Sequence, residues 1–187
     1  MNALPQQAQI IIDTLQRAGF EAYAVGGSVR DLLMDKKTKG WDFATNATPE
    51  DILKLFPDSF YDNQFATVGI KMLDDIYEIT TYRSEKGYAD HRHPDNITWG
   101  KTIEEDLSRR DFTINAIALN GKTIIDPYNG QKDLEAKIIR AVGDPNQRFS
   151  EDSLRMMRSV RIASELGFMI DETTSSAILA NAALLKK

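Results

Sequence analysis

Apolar residues recur at helical spacing at Ala8, Ile11, Leu15 and Ala18, and the run stops at Gly19 ahead of the β-forming Glu21-Ala22-Tyr23-Ala24-Val25. This pattern predicts an opening helix followed by a strand. Thr48-Pro49-Glu50-Asp51 supplies a cap, a first-turn proline and an acidic first turn ahead of Ile52, Leu55 and Phe56, so a short helix is expected there. Val68-Gly69-Ile70-Lys71-Met72 and Ile76-Tyr77-Glu78-Ile79-Thr80-Thr81 flank Asp74-Asp75, a turn signal between β-formers that predicts a hairpin. Ser84 to Gly100 is polar and carries Gly87 and Pro94, which reads as a long mobile loop. Thr123-Ile124-Ile125-Asp126-Pro127 predicts a closing strand, Asp133 to Lys137 a short helix, and Ile138-Ile139-Arg140-Ala141-Val142-Gly143 another strand. Beyond Pro145 the apolar period is helical, at Leu154, Met157 and Val160 and again at Ile178, Leu179, Ala182 and Leu185, with Gly167 between the two helices.

Helical and strand-like stretches therefore alternate to about residue 142, and only helices follow. The expected fold is α+β, with a mostly antiparallel sheet backed by helices and a helical appendage. With 42% hydrophobic residues in 187, the chain can bury one sizeable core or two small ones, which excludes disorder. The longest apolar stretches, such as Ile10-Ile11-Ile12, fall far short of the ~18 residues a membrane span needs, so a soluble, cytoplasmic protein with no membrane association is expected. The absence of cysteine removes thiolate nucleophiles, disulfides and zinc-thiolate sites together. The only histidines, His91 and His93, sit in one short stretch beside Asp90; catalytic zinc generally takes three protein ligands, and nothing nearby orients these rings. Chemistry is left to carboxylates, hydroxyls, lysine and arginine. A net charge of −5 denies the chain the global positive field of a typical nucleic-acid binder, leaving local patches to hold any polyanion.

Four segments carry candidate chemistry. Gly26-Gly27-Ser28-Val29-Arg30-Asp31 lies where a strand ends and a helix begins; free backbone N–H groups there suit a phosphate, and Arg30 is placed to clamp it, although a plain Gly-Gly turn with a surface arginine fits as well. Asp42 in Trp41-Asp42-Phe43-Ala44-Thr45 and Glu78 in the second hairpin strand are acids inside β-segments, disfavoured positions unless something uses them. On neighbouring strands the pair would hold Mg²⁺; on an open antiparallel face each would simply meet solvent. Arg109-Arg110-Asp111-Phe112-Thr113-Ile114-Asn115 mixes donors and acceptors as a triphosphate and a ribose hydroxyl require. Glu151 to Arg161 is helical by period, with Ser150 as the expected N-cap; Asp152, Arg155 and Arg158 then share about a third of the circumference, which suits the polar edge of a base or an ordinary surface ion pair.

Taken together and in this order, these segments are similar to the class II tRNA nucleotidyltransferases, the CCA-adding enzymes, and to the related bacterial poly(A) polymerases. The resemblance runs from Tyr23 to about Phe168. It implies a polymerase-β-like nucleotidyltransferase head over residues 1–137 and the start of a helical neck over 138–187, with the family's body and tail absent. By the resemblance, Gly26, Gly27, Ser28 and Arg30 bind the triphosphate, and Asp42 and Glu78 are the catalytic, Mg²⁺-binding carboxylates. Arg110, Asp111 and Asn115 would contact ribose and triphosphate. Asp152 and Arg155 would pair with the base of CTP or ATP, supported by Arg158 and Arg161. Ser84 to Gly100 resembles the loop linked to switching from C to A addition, and Asp126 to Gly143 the segment on which head and neck pivot. The implied activity is template-independent addition of CMP and AMP to the 3′ end of tRNA, with weak tRNA affinity without the body and tail. An A-adding enzyme, a poly(A) polymerase relative and a nucleotide-binding module without catalysis remain open.

Two positions depart from the family pattern. Gly40 stands where the first aspartate of an Asp-x-Asp pair is expected, which removes one metal-binding carboxylate and implies strongly reduced turnover. Ala66, before Thr67-Val68, replaces a usual glycine.

Overall fold

The computed structural model describes residues 3–38, 40–62, 67–72, 75–86 and 96–186. The elements run α1 Gln6–Arg17, β1 Ala22–Val25, α2 Gly27–Leu33, β2 Asp42–Thr45, α3 Pro49–Leu55, β3 Ser59–Asp62, β4 Thr67–Met72, β5 Asp75–Thr81, β6 Arg83–Lys86, β7 Asn96–Trp99 and α4 Ile103–Ser108. A 3-10 turn over Thr113–Asn115 leads to β8 Ala118–Leu119, β9 Ile124–Ile125, α5 Gly130–Ala136, β10 Ile138–Ile139, α6 Pro145–Glu151, α7 Leu154–Leu166, β11 Met169–Ile170, α8 Glu172–Asn181 and a closing 3-10 turn over Ala182–Lys186.

A seven-stranded sheet in the order β3-β4-β5-β2-β1-β8-β9 forms the frame. Its neighbours are antiparallel except β2 and β5, which run parallel with Asp42 opposite Glu78 and Ala44 opposite Thr80. Strand alternation sends Phe43, Val68, Ile70, Tyr77 and Ile79 to one face, where Ala8, Ile11, Ile12 and Leu15 of α1 and Ile52 of α3 cover them in the main core. The opposite face buries Val25, Ala44 and Ala118 beneath Ile103 and Leu107 of α4. Asp42, two residues from Ala44, shares that second face, but at a strand end beyond the α4 cover. The sheet thus presents carboxylates to a cleft because alternation puts them opposite the main core.

Local chemistry sets the element boundaries. Thr48 accepts the Asp51 N–H at the start of α3, as its sequence predicts. Asp126 accepts the N–H groups of Gly130 and Gln131 at 2.7 and 3.0 Å, so α5 starts at Gly130 rather than at the expected Asp133. The closing strand is shorter than expected, at Ile124–Ile125, because the same Asp126 belongs to this capping turn.

Two further expectations are corrected. The stretch from Ser84 is not wholly loop: β6 and β7 pair antiparallel from Arg83↔Trp99 to Lys86↔Asn96. Residues 87–95, including Asp90, His91 and His93, lie outside the described residues, as do Lys39, Ala66 and Asp74. Glu151 to Arg161 is not one helix capped by Ser150. α6 begins at Pro145, capped by Asp144, whose side chain accepts the Asn146 N–H, and ends at Glu151; Asp152 is extended at φ −135°, and α7 starts at Leu154. The break has a local cause, since the Asp152 carboxylate accepts the Leu154 N–H at 3.0 Å and competes with helical hydrogen bonding.

The C-terminal helices attach through a small core of Phe112, Ile114, Ile139, Ile162 and Phe168, with Phe149, Met156 and Ala177 packing further out. A parallel pair, Ile138↔Met169 and Ile139↔Ile170, and an isolated bridge between Phe112 and Ala141 complete the joint. Among the described residues, no helix is long and apolar enough to cross a membrane.

Candidate active site

The open end of the second sheet face forms one wall of a cleft of about 500 Å³. Gly26, Gly27, Asp42, Glu78, Arg110, Asp111, Asn115, Asp152, Arg155 and Arg158 all line it, together with Thr67, Thr80, Arg83 and Arg109. The strand ends, the segment after α4 and the α6–α7 break therefore face one space.

At the glycine corner, Gly26 has φ +77°, a left-handed conformation that L side chains rarely adopt. A Cβ there would lie 3.2 Å from Arg110 Nη1 and 3.3 Å from Asp42 Oδ2, so the turn threads between a guanidinium and a carboxylate. Ser28 does not reach the cleft: its hydroxyl donates to the Val25 carbonyl at 2.9 Å and ties the turn shut. Arg30 is also absent from the cleft wall. Its guanidinium packs behind Gly27 and donates to Asp31 Oδ1 and Asn115 Oδ1. Arg161 is exposed on α7, away from the cleft.

Asp42 is exposed at the start of β2 and opens onto the cleft, with Arg110 beside it. Burial raises its carboxyl above the ordinary 3.8, and Arg110 pulls it part of the way back. Glu78, on the same face and directly across the parallel pair, brings the second carboxylate. As a donor set, two carboxylates fit one Mg²⁺, which typically takes one or two carboxylates plus phosphate oxygens and water. Among the described residues no group of three or more acids, histidines or cysteines is gathered, so Asp42 and Glu78 are the carboxylates the cleft offers together with water and phosphate oxygens.

Arg109 and Arg110 are held from behind. Asp106, fully buried, accepts from Arg109 Nε and Nη2 at 3.0 and 2.7 Å and from Arg110 Nη2 at 3.0 Å. Burial pushes the Asp106 carboxyl up, but the two guanidiniums outweigh it and hold it below its ordinary value. Asp111 is shared: Oδ1 accepts from the Phe112 N–H and from Asn115 Nδ2, and Oδ2 accepts from Arg158 Nε and Nη2 at 3.0 and 2.7 Å. Arg155, 8% exposed, donates to Glu151 Oε2 at 3.2 Å and to the Arg109 carbonyl at 3.0 Å, which fixes the break between α6 and α7 against the arginine wall.

Sequence reasoning passed over Thr67, Thr80, Arg83 and Asp106, and it held Arg109 only as part of the donor-rich run before Asn115. Thr80 was accessible to it, since a residue two from Glu78 shares its face, and Thr67 is the register partner of Thr80 with their hydroxyls 3.2 Å apart. Asp106 stands three and four residues before Arg109 and Arg110, the spacing at which helical side chains meet.

A mainly antiparallel sheet with one parallel pair, carrying carboxylates and a glycine corner beneath a guanidinium wall, defines an α+β head of the nucleotidyltransferase fold class. The particular family is that of the poly A polymerase head domain: it matches residues 22–140, more than half of the sequence, and the chain belongs to it. The chain is 51% identical over 184 residues to the CCA-adding enzyme of Lactobacillus helveticus, covering 97% of this chain and 46% of that protein. It is 48% identical over 182 residues to the CCA-adding enzyme of Geobacillus kaustophilus, covering 96% and 45%. Among solved structures, the Bacillus stearothermophilus CCA-adding enzyme in complex with CTP superimposes with a TM-score of 0.87 at 44% identity, over 96% of this chain and 44% of that one. A tRNA nucleotidyltransferase complexed with a primer tRNA and an incoming ATP analogue superimposes with a TM-score of 0.77 at 30% identity, over 93% and 50%. The chain spans about half the length of the curated relatives it matches.

Proposed function

We propose that this chain is the catalytic and nucleotide-selecting part of a CCA-adding enzyme, a head over residues 1–137 and the start of a neck over 138–187. The reaction is template-independent transfer of CMP and AMP from CTP and ATP to the 3′ end of tRNA, releasing pyrophosphate. One observation carries the reading: carboxylates, glycine corner, arginine wall and the Asp152–Arg155 element line one cleft of about 500 Å³, within the usual range of ligand pockets. Similarity to CCA-adding enzymes, one of them solved with CTP, gives the reaction class.

In this reading each wall has a task. The Gly26 and Gly27 backbone lets a triphosphate approach the main chain, and Arg109 and Arg110 neutralise its charge. Asp111 and Asn115 meet the ribose. Asp152 offers acceptors and Arg155 donors to the edge of the base. Nucleotidyltransferases of this class generally use divalent metal ions. Asp42 and Glu78 would hold Mg²⁺, which supplies charge neutralisation at the transferring phosphate. Binding of tRNA is weak here, because the net charge of −5 leaves little to attract its backbone beyond the cleft. The protein works in the cytoplasm, where tRNA and nucleoside triphosphates meet.

Gly40 favours a second reading, a nucleotide-binding module without catalysis, since one carboxylate of the expected pair is missing. Incubation with tRNA lacking its 3′ end, Mg²⁺ and each labelled nucleoside triphosphate separates the possibilities. Incorporation of C and then A supports CCA addition, and incorporation of A alone points to an A-adding or poly(A)-forming relative. Binding of CTP and ATP without incorporation supports the module.

A further inference from the structure

Arg30 sits one layer behind the cleft, and its hydrogen bonds lead back into it. Nε and Nη2 donate to Asp31 Oδ1 at 2.9 and 2.7 Å, and Nη1 reaches across to Asn115 Oδ1 at 3.0 Å. Asn115 in turn donates Nδ2 to Asp111 Oδ1 at 3.0 Å. Asn115 and Asp111 are 6% and 7% exposed, so their partners are fixed by protein rather than by water. The Arg30 side chain is itself only 14% exposed.

An amide has one accepting oxygen and one donating nitrogen, so a donor at Oδ1 decides which way it faces. With Arg30 in place, the Asn115 oxygen is claimed and its NH₂ must point at Asp111. With Arg30 gone, the acceptor-only Asp111 carboxylate still holds the Asn115 NH₂, but the Asn115 oxygen loses its donor and the amide can swing about the one contact left to it. The remaining Asp111 partners, the Phe112 N–H and Arg158, fix its height in the cleft but not the amide beside it. We infer that Arg30 is a positioning residue for sugar selection: it sets the Asn115 amide, and through it the Asp111 carboxylate, so that together they read the 2′-hydroxyl of an incoming ribonucleotide. Arg30 itself touches neither sugar nor phosphate. Asp31 holds the other edge of the guanidinium, a fork geometry that a lysine cannot reproduce.

The inference rests on the reading in which Asp111 and Asn115 face the ribose. Its test is the ratio of dissociation constants for CTP and 2′-deoxy-CTP, measured by titration calorimetry with Mg²⁺ on the native chain, Arg30→Met and Arg30→Lys. The native chain is expected to prefer CTP. Arg30→Met should lower that preference by about tenfold, as loss of one oriented hydrogen bond implies, and Arg30→Lys by a smaller factor. If both nucleotides weaken together and the ratio holds, Arg30 is only structural and the inference is overturned. Should Arg30→Met not fold, an unchanged ratio in Arg30→Lys overturns it equally. A native chain that binds no CTP defeats the proposed function; one that binds CTP and 2′-deoxy-CTP alike leaves that function standing and defeats this inference alone.

Discussion

Asp42 and Glu78 face each other across the only parallel pair of the described central sheet, at register-matched positions of β2 and β5. Gly40, two residues before Asp42, is exposed, and no atom lies within 4 Å of where its Cβ would stand. An aspartate there meets neither a clash nor a left-handed backbone. Gly40→Asp is therefore expected to leave stability within about 0.5 kcal/mol. It should raise Mg²⁺-dependent incorporation of labelled CMP at least tenfold, by adding a third metal carboxylate to Asp42 and Glu78. Urea unfolding and single-turnover incorporation check the two halves separately; an unchanged rate with intact folding contradicts the metal assignment.

Asp106 bears on both fold and site, because its two oxygens are the rear anchor of Arg109 and Arg110. Asp106→Ala leaves two guanidiniums on the cleft wall without their buried counter-ion, and loss of one partner of a buried ion pair costs about 3–5 kcal/mol. Reduced urea midpoints and weaker CTP binding are expected together. The pH dependence has a definite sign. The folded carboxyl titrates below its ordinary 3.8, so its stabilisation is present above 3.8 and is lost as pH falls through the folded value. Asp106→Asn should flatten that acid limb of the stability profile, measured by urea unfolding between pH 7 and pH 3.

Much of this site was legible because strand period and turn chemistry are local. Asp42 and Glu78 stood out as acids among β-formers, and the alternation that sends Phe43 and Ile79 into the core necessarily sends these two the other way. That they are adjacent was not legible, since β2 and β5 are joined only after a helix and a hairpin. Arg30 shows the opposite failure. Its position in a glycine turn suggested a phosphate ligand, but the partner that turns it away, Asn115, is 85 residues distant. Asp152 was placed on the correct wall for an incorrect local reason: apolar period alone cannot register a carboxylate that caps the next helix and breaks the chain at that point. The β6–β7 pairing escaped because a polar stretch with Gly87 and Pro94 gives no alternation to read.

Gly26 offers a control built into the same chain. Gly19 and Gly26 both have positive φ, +90° and +77°, but a Cβ at Gly19 meets nothing within 4 Å whereas one at Gly26 presses on Arg110 and Asp42. Alanine at either site carries the backbone cost of about 1–2 kcal/mol. Only Gly26→Ala should also weaken CTP binding, by tenfold or more, because it parts the guanidinium from the carboxylate. Equal losses of CTP affinity in the two variants contradict this account of the corner.

The joint between sheet and C-terminal helices depends on Arg140. Its guanidinium donates Nε to Asp133 Oδ2 at 3.1 Å on α5 and Nη1 to Asp171 Oδ1 at 2.5 Å ahead of α8. Its side chain is 41% exposed, so solvent screening limits the pair energy, and Arg140→Met is expected to cost about 1 kcal/mol. Asp171 has a second task, accepting the Thr174 N–H at 3.2 Å as the cap of α8. Asp171→Ala removes ion pair and cap at once and should cost about 1 kcal/mol more than Arg140→Met. The two variants also differ in what exchanges. Both should speed hydrogen exchange at the Met169 and Asp171 amides, which bond to the carbonyls of Lys137 and Ile139 at 2.9 Å, whereas only Asp171→Ala should expose the first turn of α8. Because the Arg140 pairs are partly solvated, 0.5 M salt should erase most of the Arg140→Met effect and little of the capping effect. Salt-insensitive loss in Arg140→Met would mean that the guanidinium acts by packing rather than by charge.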